Sequence, residues 1–330
     1  MAHLLVTGGA GYIGSHTLLA LRAAGHSAVV VDDLRAGHLA LLGEGGERLL
    51  ERCDVGDPTA MRRVFAERGP FDGVLHFAAS LSVPESVARP VHYYRNNVGG
   101  SACLLEAALE HGVRAFVLSS TCAVYGHPER VPIDESTPPA PINPYGASKW
   151  MVERMLSDAE AAHGLRWAAL RYFNACGADP EGRCGECHDP EIHLIPSALE
   201  AAAGLREGFQ LFGTDYETPD GTCIRDYVHV SDLADAHVRA MDLLLRGRSL
   251  GARNLGTGRG RSNREVIASV ERVTGRKLAV SAAERRPGDP PELVADAARA
   301  RDELAWQPRH EDLDEIVASA WAWLRKWKRL

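Results

Sequence analysis

The 330-residue sequence has no apolar run that approaches the roughly 20 residues needed to cross a bilayer. It also lacks an excess of basic residues, since its net charge is −7 and its pI is near 6.1, so no nucleic-acid surface is indicated. No secretory signal pattern is visible at the N-terminus, and no internal repeat is visible along the chain. These absences predict a cytoplasmic globular protein with no nucleic-acid or membrane partner.

The seven cysteines do not have the context of a disulfide framework. Cys184, Cys187 and His188 match the C-x-x-C-H spacing of a haem attachment site, but that chemistry normally requires export. Residues 178–191 around them are rich in Gly, Asp, Pro and Glu, which predicts a surface loop. A zinc or redox role is the alternative, but no second ligand pair lies at a fitting spacing, so no metal site is assigned.

A glycine-rich turn follows the first apolar segment. Residues 3–7 predict a buried strand and residues 15–23 predict a helix. Between them, Gly9, Gly11 and Gly14 form G-x-G-x-x-G, which permits a tight turn, the close approach of a pyrophosphate and close packing of the helix on the strand. The free N–H groups at the start of the helix would bind phosphates. The segment therefore predicts a dinucleotide site.

An acidic residue ends the second predicted strand. Residues 27–31 are apolar and Asp32 follows them, close to the spacing of about twenty residues expected after the glycines. A carboxylate there accepts hydrogen bonds from ribose hydroxyls and repels a 2′-phosphate, so Asp32 and Asp33 favour NAD over NADP. Arg35 is the opposing signal, because an arginine at this point can bind that phosphate.

Strands and helices alternate through the first half of the chain. Asp57 and Pro58 supply the N-cap and the first-turn proline of one helix, and a long helix follows Pro90 to about residue 111. The alternation predicts an α/β fold with a doubly wound parallel (Rossmann) sheet. The strands expected after the first two are residues 48–55, 72–77, 114–119 and 165–172.

The alternation ends after the sixth predicted strand. Residues 1–174 are therefore predicted as an NAD-binding Rossmann domain, to which residues 225–256 return, and residues 175–330 as a smaller substrate-binding lobe. In residues 312–330 apolar side chains repeat at helical spacing. This predicts a helix docked on the core, and a membrane-surface helix is the alternative.

A tyrosine and a lysine open the helix that follows the fifth predicted strand. Ligands of parallel sheets bind beyond the carboxyl ends of the strands, where Thr121 lies. Tyr145 and Lys149 are four residues apart and share a helix face. The ammonium group would lower the pKa of the phenol from near 10 towards neutrality, so Tyr145 is a candidate general base or acid. Thr121 could bond the same substrate oxygen, and Lys149 could also hold ribose hydroxyls.

Two asparagines, Asn96 and Asn97, lie in the early turns of the long helix after Pro90. A buried amide needs hydrogen-bond partners. The sequence leaves two interpretations open for this pair: a bond to a neighbouring loop, or a contact near the cofactor.

Segments along the whole chain resemble the extended short-chain dehydrogenase/reductase family and, within it, the UDP-glucose (UDP-galactose) 4-epimerases. The later segments are more specific than the glycine turn. The segments that carry the resemblance are TGGAGYIGSH, VVVDDL, HFAA, NNVGG, SSTCAVYG, PYGASK, LRYFNACGADP, HLIP, GTDYETPDGTCIRDYVHVSDLADAH and RRPGD.

The resemblance implies a role for each residue that matches a family position. The implied catalytic residues are Thr121, Tyr145 and Lys149. The implied NAD-binding residues are Gly8, Gly11, Tyr12, Ile13, Asp32, Asp33, Asp54, Val55, Phe77, Ala78, Ala79, Asn97, Ser119, Tyr145, Lys149 and Phe173. The implied UDP-sugar residues are Thr121, Tyr145, Asn174, His193, Leu194, Phe212, Arg225, Arg286 and Asp289.

The sequence departs from the family pattern at three positions. His193 stands where some relatives have Asn, and Leu81 replaces a lysine that some members have near the cofactor. Leu293 stands at the implied gate of the sugar pocket, where members have either a bulky Tyr or a small residue. The size of leucine is intermediate, so the entry of N-acetylated sugars is left open. The resemblance also implies a homodimer, paired through the helices after Pro90 and from Tyr145.

The residues after Thr121 separate related activities. Related 4,6-dehydratases need an acid pair there and related decarboxylases need a Glu, whereas this chain has Cys122 and Ala123. The expected function is therefore reversible 4-epimerisation of UDP-glucose and UDP-galactose through a 4-keto intermediate, with tightly bound NAD. The alternatives are UDP-arabinose/UDP-xylose or UDP-N-acetylhexosamine epimerisation and, from another class, a non-catalytic NAD-binding sensor.

Overall fold

The computed structural model describes residues 1–286 and 289–330; Pro287 and Gly288 of the RRPGD segment lie outside the described residues. The described strands are β1 His3–Thr7, β2 Ser27–Val31, β3 Leu50–Glu51, β4 Gly73–His76, β5 Ala115–Thr121, β6 Arg166–Tyr172, β7 Asn174–Cys176, β8 Phe209–Phe212, β9 Ile224–His229, β10 Gly251–Leu255, β11 Gly260–Ser262, β12 Val280–Ala283 and β13 Glu292–Leu293. The described helices are α1 Tyr12–Ala23, α2 Pro58–Arg68, α3 Val83–Ala88, α4 Pro90–Tyr93, α5 Gly100–Glu110, α6 Pro144–His163, α7 Leu194–Ala203, α8 Val230–Leu245, α9 Asn263–Thr274, α10 Ala298–Leu304 and α11 Leu313–Lys328.

A seven-stranded parallel sheet forms the centre of the fold, in the order β10-β6-β5-β4-β1-β2-β3. All seven residues of β5 are buried, as expected for a strand covered on both faces. Side chains of α1 and α8 share one apolar cluster with the sheet, and side chains of α2, α5 and α6 share another. The predicted doubly wound fold is confirmed, and it aligns the carboxyl ends of the strands at one edge, where the candidate site lies.

A second, smaller layer follows β6. Strand β9 pairs with β7, β11 and β13, and β8 pairs with β12. The prediction that residues 225–256 return to the main sheet is wrong for β9, because its register partners lie in the small sheet. It is correct for β10, which pairs with β6, and α8 packs on the main sheet. The division of the chain at residue 174 stays a prediction.

Two predicted segments have different limits in the structure. The third strand covers only residues 50–51, because residues 46–48 form a 3₁₀ turn before it and the chain turns again after it, where Asp54 Oδ1 accepts a hydrogen bond from the Gly56 amide at 2.8 Å. The long helix after Pro90 contains a π-helical segment, Tyr94–Gly99, between α4 and α5.

The C-terminal helix packs on the small lobe. Leu313, Ile316, Val317 and Leu324 of α11 share an apolar cluster with α7 and α9. The interpretation as a docked helix is therefore confirmed. None of the helices in residues 1–286 and 289–330 has the length and apolar character that a membrane crossing requires.

Candidate active site

The glycine turn leaves the N-terminus of α1 open to an anion. Gly8 has a φ of +70°, and a Cβ on it would lie 2.6 Å from the Ala78 amide nitrogen. A Cβ on Gly14 would lie 2.3 Å from the Gly8 carbonyl oxygen, so neither position has room for a side chain. Gly11 is the N-cap and has no side chain to cap the helix, so the first amides, including those of Tyr12 and Ile13, precede the intrahelical hydrogen bonds. The turn therefore presents amide donors of the kind that bind a pyrophosphate.

Asp32 is held beside this turn at the end of β2. Its Oδ2 accepts a hydrogen bond from the Ala10 amide at 3.0 Å, and its Oδ1 accepts one from the Leu34 amide at 2.9 Å. Burial raises the pKa of this carboxyl group, while the two amide bonds oppose the shift. Each carboxylate oxygen has a second lone pair, so Asp32 can still accept from two hydroxyl groups of a ribose.

Arg35 is bound by acidic and amide oxygens of the chain itself. Its Nε donates to Asp33, its backbone amide donates to Asp33 Oδ1 at 2.9 Å, and one terminal nitrogen donates to Asn96 Oδ1 at 3.1 Å. The same terminal nitrogen lies 3.5 Å from Oδ2 of Asp54. Because Asp33 and Asp54 already neutralise this arginine, it offers little charge to a 2′-phosphate. The geometry supports the preference for NAD over NADP.

Asn97 connects the loop after β4 to α6. Its Nδ2 donates to the Ser80 carbonyl oxygen at 3.0 Å and to Ser148 Oγ at 2.9 Å, and its Oδ1 accepts from the Ser80 amide at 2.9 Å. The loop-bond interpretation of this asparagine is therefore correct, and a cofactor contact stays a prediction. The bonds fix the loop after β4 against α6, which carries Tyr145.

The remaining predicted cofactor residues lie in several parts of the site. Ala78 follows β4 and lies against Gly8, and Phe77 beside it packs on His237 with ring centroids 4.8 Å apart. The Tyr12 hydroxyl is bonded to the Gly177 carbonyl oxygen at 2.6 Å, and Val55 packs in the core under α2 and α5. The predicted cofactor contact of Tyr12 and Val55 would therefore not use a polar side-chain group. Ala79 lies in the loop after β4, whereas Ser119 and Phe173 lie at the ends of β5 and β6.

Close packing at Gly146 places Tyr145 beside the end of β5. Asn143 caps α6, with Oδ1 accepting from the Gly146 amide at 2.8 Å. A Cβ on Gly146 would lie 2.5 Å from the Ala123 carbonyl oxygen, so only glycine lets this first turn approach the segment after Thr121. The structure therefore brings Thr121 and Tyr145 together, as predicted.

The predicted effect of Lys149 on Tyr145 is wrong in this structure. Burial raises the pKa of the Tyr145 phenol to about 12, although a hydrogen bond with Thr121 acts in the opposite direction. The Lys149 Nζ donates to the Ser119 carbonyl oxygen at 2.9 Å, and burial lowers the pKa of this amine to about 8, against the effect of Glu153. Desolvation thus sets the direction of the Tyr145 shift, and the lysine is not among the groups that lower the pKa of the phenol. The spacing of the two residues could not reveal this.

A buried polar network that the sequence analysis missed lies behind these residues. Arg171 of β6 forms an ion pair with Glu153 of α6 at 2.5 Å, and both side chains are at least 94% buried. Glu153 also accepts from Ser120 Oγ at 2.5 Å, and Arg171 donates to the Tyr125 hydroxyl at 2.9 Å. The network continues to β10, because the Tyr125 hydroxyl donates to Asn254 Oδ1 at 2.7 Å. The one feature of the sequence that could have indicated this network was the acidic residue Glu153, one helical turn after Lys149.

Several predicted UDP-sugar residues meet at the edge of the small sheet. Arg225 of β9 forms an ion pair with Asp289 and is the register partner of Leu293. The guanidinium carbon of Arg286 lies 4.2 Å from the centroid of the Phe212 ring. Leu293 packs with Phe173 and Cys122 in one apolar cluster, which connects this edge to the end of β5. Asn174 lies at the start of β7, beside β9.

The loop before α7 is packed into the protein, in contrast to the predicted surface loop. Cys184 is fully buried against Trp323, and burial raises the pKa of the Cys184 and Cys187 thiols to about 12. The polar composition of the loop wrongly predicted exposure, because Glu186 and Glu191 are buried beside His188 and His193. Burial lowers the pKa values of His188 and His193, but nearby carboxylates outweigh it and raise them to about 9 and about 10.

The two histidines and two glutamates of this loop form one cluster, which the sequence analysis did not recognise. The signal was the pattern H-x-x-E-x-H from His188 to His193, two residues after Glu186. His193 is the N-cap residue of α7, and Leu194 begins that helix. Both lie in the segment that the resemblance assigned to the UDP-sugar.

Comparisons with known proteins give a consistent result. The sequence profile of the NAD dependent epimerase/dehydratase family matches residues 4–256. A UDP-glucose 4-epimerase from Azospirillum brasilense is 54% identical over 322 residues, which cover 98% of this chain and 92% of the relative. The crystal structure of UDP-glucose 4-epimerase from Brucella ovis in complex with NAD has a TM-score of 0.93 and 48% identity, with 98% of each chain covered. The enzyme from Bifidobacterium longum in complex with NAD⁺ and UDP has a TM-score of 0.92 and 38% identity, also with 98% of each chain covered.

Proposed function

This chain belongs to the NAD-dependent epimerase/dehydratase family, and from that premise we propose that it interconverts UDP-glucose and UDP-galactose by inverting C4 of the hexose. It is an NAD-dependent isomerase. One observation carries the proposal. Thr121 and Tyr145 lie together, and the next two residues after Thr121, Cys122 and Ala123, supply no further group that could donate or accept a proton. Burial raises the pKa of the Cys122 thiol to about 12, and Ala123 has no titratable group. Such a site supports oxidation and reduction at C4, whereas elimination would need another acid or base.

The residues around the glycine turn fit NAD. The uncapped start of α1 supplies amides for the pyrophosphate, and Asp32 supplies acceptors for the adenosine ribose. Lys149 would hold the hydroxyls of the second ribose, since its Nζ lies at the carboxyl end of β5. When bound, NAD⁺ would supply positive charge and a hydride acceptor for C4, and its reduced form would supply the hydride for the return step.

Tyr145 is proposed as the base that removes the proton of the sugar 4-hydroxyl and later returns it. Its phenol needs added positive charge to ionise near neutral pH, because burial alone raises its pKa to about 12. The Thr121 hydroxyl bridges the phenol and the sugar oxygen. The 4-keto sugar then presents its other face, so that hydride returns with inverted configuration.

The charged residues at the small sheet are proposed to bind the UDP portion. Arg225 and Arg286 suit a diphosphate, because guanidinium groups make bidentate, charge-assisted hydrogen bonds with phosphate oxygens. Asp289, which now neutralises Arg225, could accept from a uridine ribose hydroxyl. Asn174, His193, Leu194 and Phe212 complete the proposed set.

We infer that the sugar specificity depends on Leu293, which the resemblance places at the gate of the sugar pocket. This side chain is buried against Phe173, so a leucine rather than a small residue limits the space beside the strand end. The limited space supports a hexose over an N-acetylated hexosamine. UDP-arabinose and UDP-xylose are smaller than the hexose and would also enter, so rates with the three substrate classes must be compared directly.

The proposed activity can be tested without added cofactor. We expect purified protein incubated with UDP-galactose to produce UDP-glucose, seen as a new anomeric signal in the proton NMR spectrum, because NAD is retained. Turnover only of UDP-pentoses or of UDP-N-acetylhexosamines would move the assignment to those substrates. NAD binding without turnover of any UDP-sugar would instead indicate the non-catalytic sensor.

We further propose that the protein is a homodimer in the cytoplasm. Exposed apolar side chains lie on three helices that contact one another, α3, α4 and α6: Val87 is 63% exposed, Val91 is 69%, Trp150 is 40% and Met151 is 41%. A second copy paired through these helices would cover them. Light scattering should then give twice the 35.7 kDa mass of the chain, and a monomer mass would contradict the pairing.

A further inference from the structure

The loop that leads into α7 gathers four metal-ligating side chains in one place. Glu186, His188, Glu191 and His193 each offer one ligand atom, and these atoms all lie within 4.8 Å of one another. The cluster lies beside the glycine turn, since the His188 and Tyr12 rings meet edge to face with centroids 6.5 Å apart. None of its members except His193 belongs to the proposed catalytic or binding residues.

The separations of the ligand atoms match those around a small cation. Nδ1 of His193 lies 2.6 Å from Oε1 of Glu186 and 3.4 Å from Oε1 of Glu191. Nδ1 of His188 lies 3.0 Å from Oε1 of Glu186 and 3.8 Å from Oε2 of Glu191. Tetrahedral zinc with ligands at about 2.0–2.1 Å places neighbouring ligand atoms about 3.3 Å apart, which lies inside this range. These four separations bracket the tetrahedral value, and all the ligand atoms lie within 4.8 Å of one another, so adjustment of the side chains would place them around one ion.

Hydrogen bonds from the backbone hold the cluster in position. Oε1 of Glu191 accepts from the amides of Ile192 and His193, both at 2.8 Å. The Trp323 indole donates to the carbonyl oxygen of Glu186 at 2.8 Å and so ties this part of the loop to α11. Outer bonds of this kind orient the ligands of protein metal sites.

One nitrogen atom of the cluster has no hydrogen-bond partner of good geometry in the described part of the chain. The Nδ1 atom of His193 is buried and has no hydrogen-bond partner within residues 1–286 and 289–330, although Oε1 of Glu186 lies 2.6 Å away. The Glu186 and Glu191 side chains are only 7% and 3% exposed, and without a metal the cationic His188 and His193 beside them compensate their charges. One divalent cation would displace the ring protons of the two histidines, balance both carboxylates and bind the lone pairs of the neutral imidazoles that result.

We propose that Glu186, His188, Glu191 and His193 form a closed structural site for one divalent first-row transition metal, with Zn²⁺ the best fit. Imidazole and carboxylate ligands suit this ion, and four protein ligands leave no position for substrate. The metal braces the chain between Trp323 and the start of α7, where Leu194 lies. The site is separate from the hydride and proton steps of the proposed function.

Metal content and direct binding test the site. We expect the purified protein, treated with a chelator and dialysed, to bind one equivalent of Zn²⁺ per chain by calorimetry and elemental analysis, and to unfold at a higher temperature with Zn²⁺ than without it. Co²⁺ in place of Zn²⁺ should give the visible absorption of a tetrahedral site. A wild-type chain that binds no stoichiometric Zn²⁺ would show that the cluster is held by ion pairs alone and would overturn the proposal.

Variants separate this site from adventitious binding. His188→Ala and Glu191→Gln are expected to lower Zn²⁺ affinity at least 100-fold, and Glu191→Gln keeps a side-chain oxygen for the two backbone amides. His127→Ala removes an exposed histidine elsewhere and should bind Zn²⁺ as the wild type does. Equal affinity in all three variants would place the metal elsewhere and contradict the assignment. None of these measurements depends on epimerase activity, so they stand apart from the test with UDP-galactose.

Discussion

Tyr145→Phe is expected to lower the turnover of UDP-galactose by about 100- to 10,000-fold, the usual contribution of a general acid–base group. The substitution removes only the phenol oxygen that lies beside Thr121. The ring still packs in the first turn of α6, and the glycine turn and Asp32 are unaltered. The loss should therefore appear in kcat, measured by conversion to UDP-glucose, while the amount of bound NAD stays at the wild-type level.

Tyr94→Phe is the matched control for this prediction. It makes the same chemical change at Tyr94 in the π-helical segment Tyr94–Gly99, and Tyr94 is not among the proposed catalytic or binding residues, so kcat should stay within about twofold of wild type. Near-normal turnover by Tyr145→Phe would show that another group carries the proton. A variant that loses NAD together with activity would point to a structural role for the phenol instead.

The sequence predicted those parts of the site whose residues are positioned by a strand or helix close to them in the chain. The glycine turn, Asp32 after β2, and the pair Tyr145 and Lys149 each lie within a few residues of the element that positions them. Parallel strands then place these segments at one edge, because their carboxyl ends coincide. For this reason the fold class and the meeting of Thr121 with Tyr145 followed from spacing alone.

The features that sequence reasoning missed depend on contacts between distant segments. Strand β9 joins the small sheet because β7, β11 and β13 provide partners, and nothing within residues 224–229 reveals that choice. The pKa of Tyr145 depends on how deeply its phenol is buried. The loop with Glu186 and Glu191 has the composition of an exposed segment, yet α11 and the glycine turn cover it.

Arg171→Met is expected to destabilise the folded protein by about 3–5 kcal/mol, because it leaves the Glu153 carboxylate buried without its partner. The two side chains are only 6% and 5% exposed, so water cannot replace the lost contact. Glu153 also accepts from Ser120, the residue before Thr121, and the variant should therefore lower activity through displacement of that strand end. Urea denaturation would give the change in the free energy of unfolding.

The same helix supplies a control for the buried pair. Arg154 and Asp158 form an ion pair at 3.0 Å in α6, with side chains 74% and 63% exposed, and exposed pairs contribute at most about 1 kcal/mol. Arg154→Met should therefore cost far less than Arg171→Met. If the two substitutions cost the same, the Arg171–Glu153 pair does not stabilise the site. If the double variant Glu153→Leu/Arg171→Met is more stable than Arg171→Met alone, the cost of the single change comes from the uncompensated carboxylate rather than from lost packing.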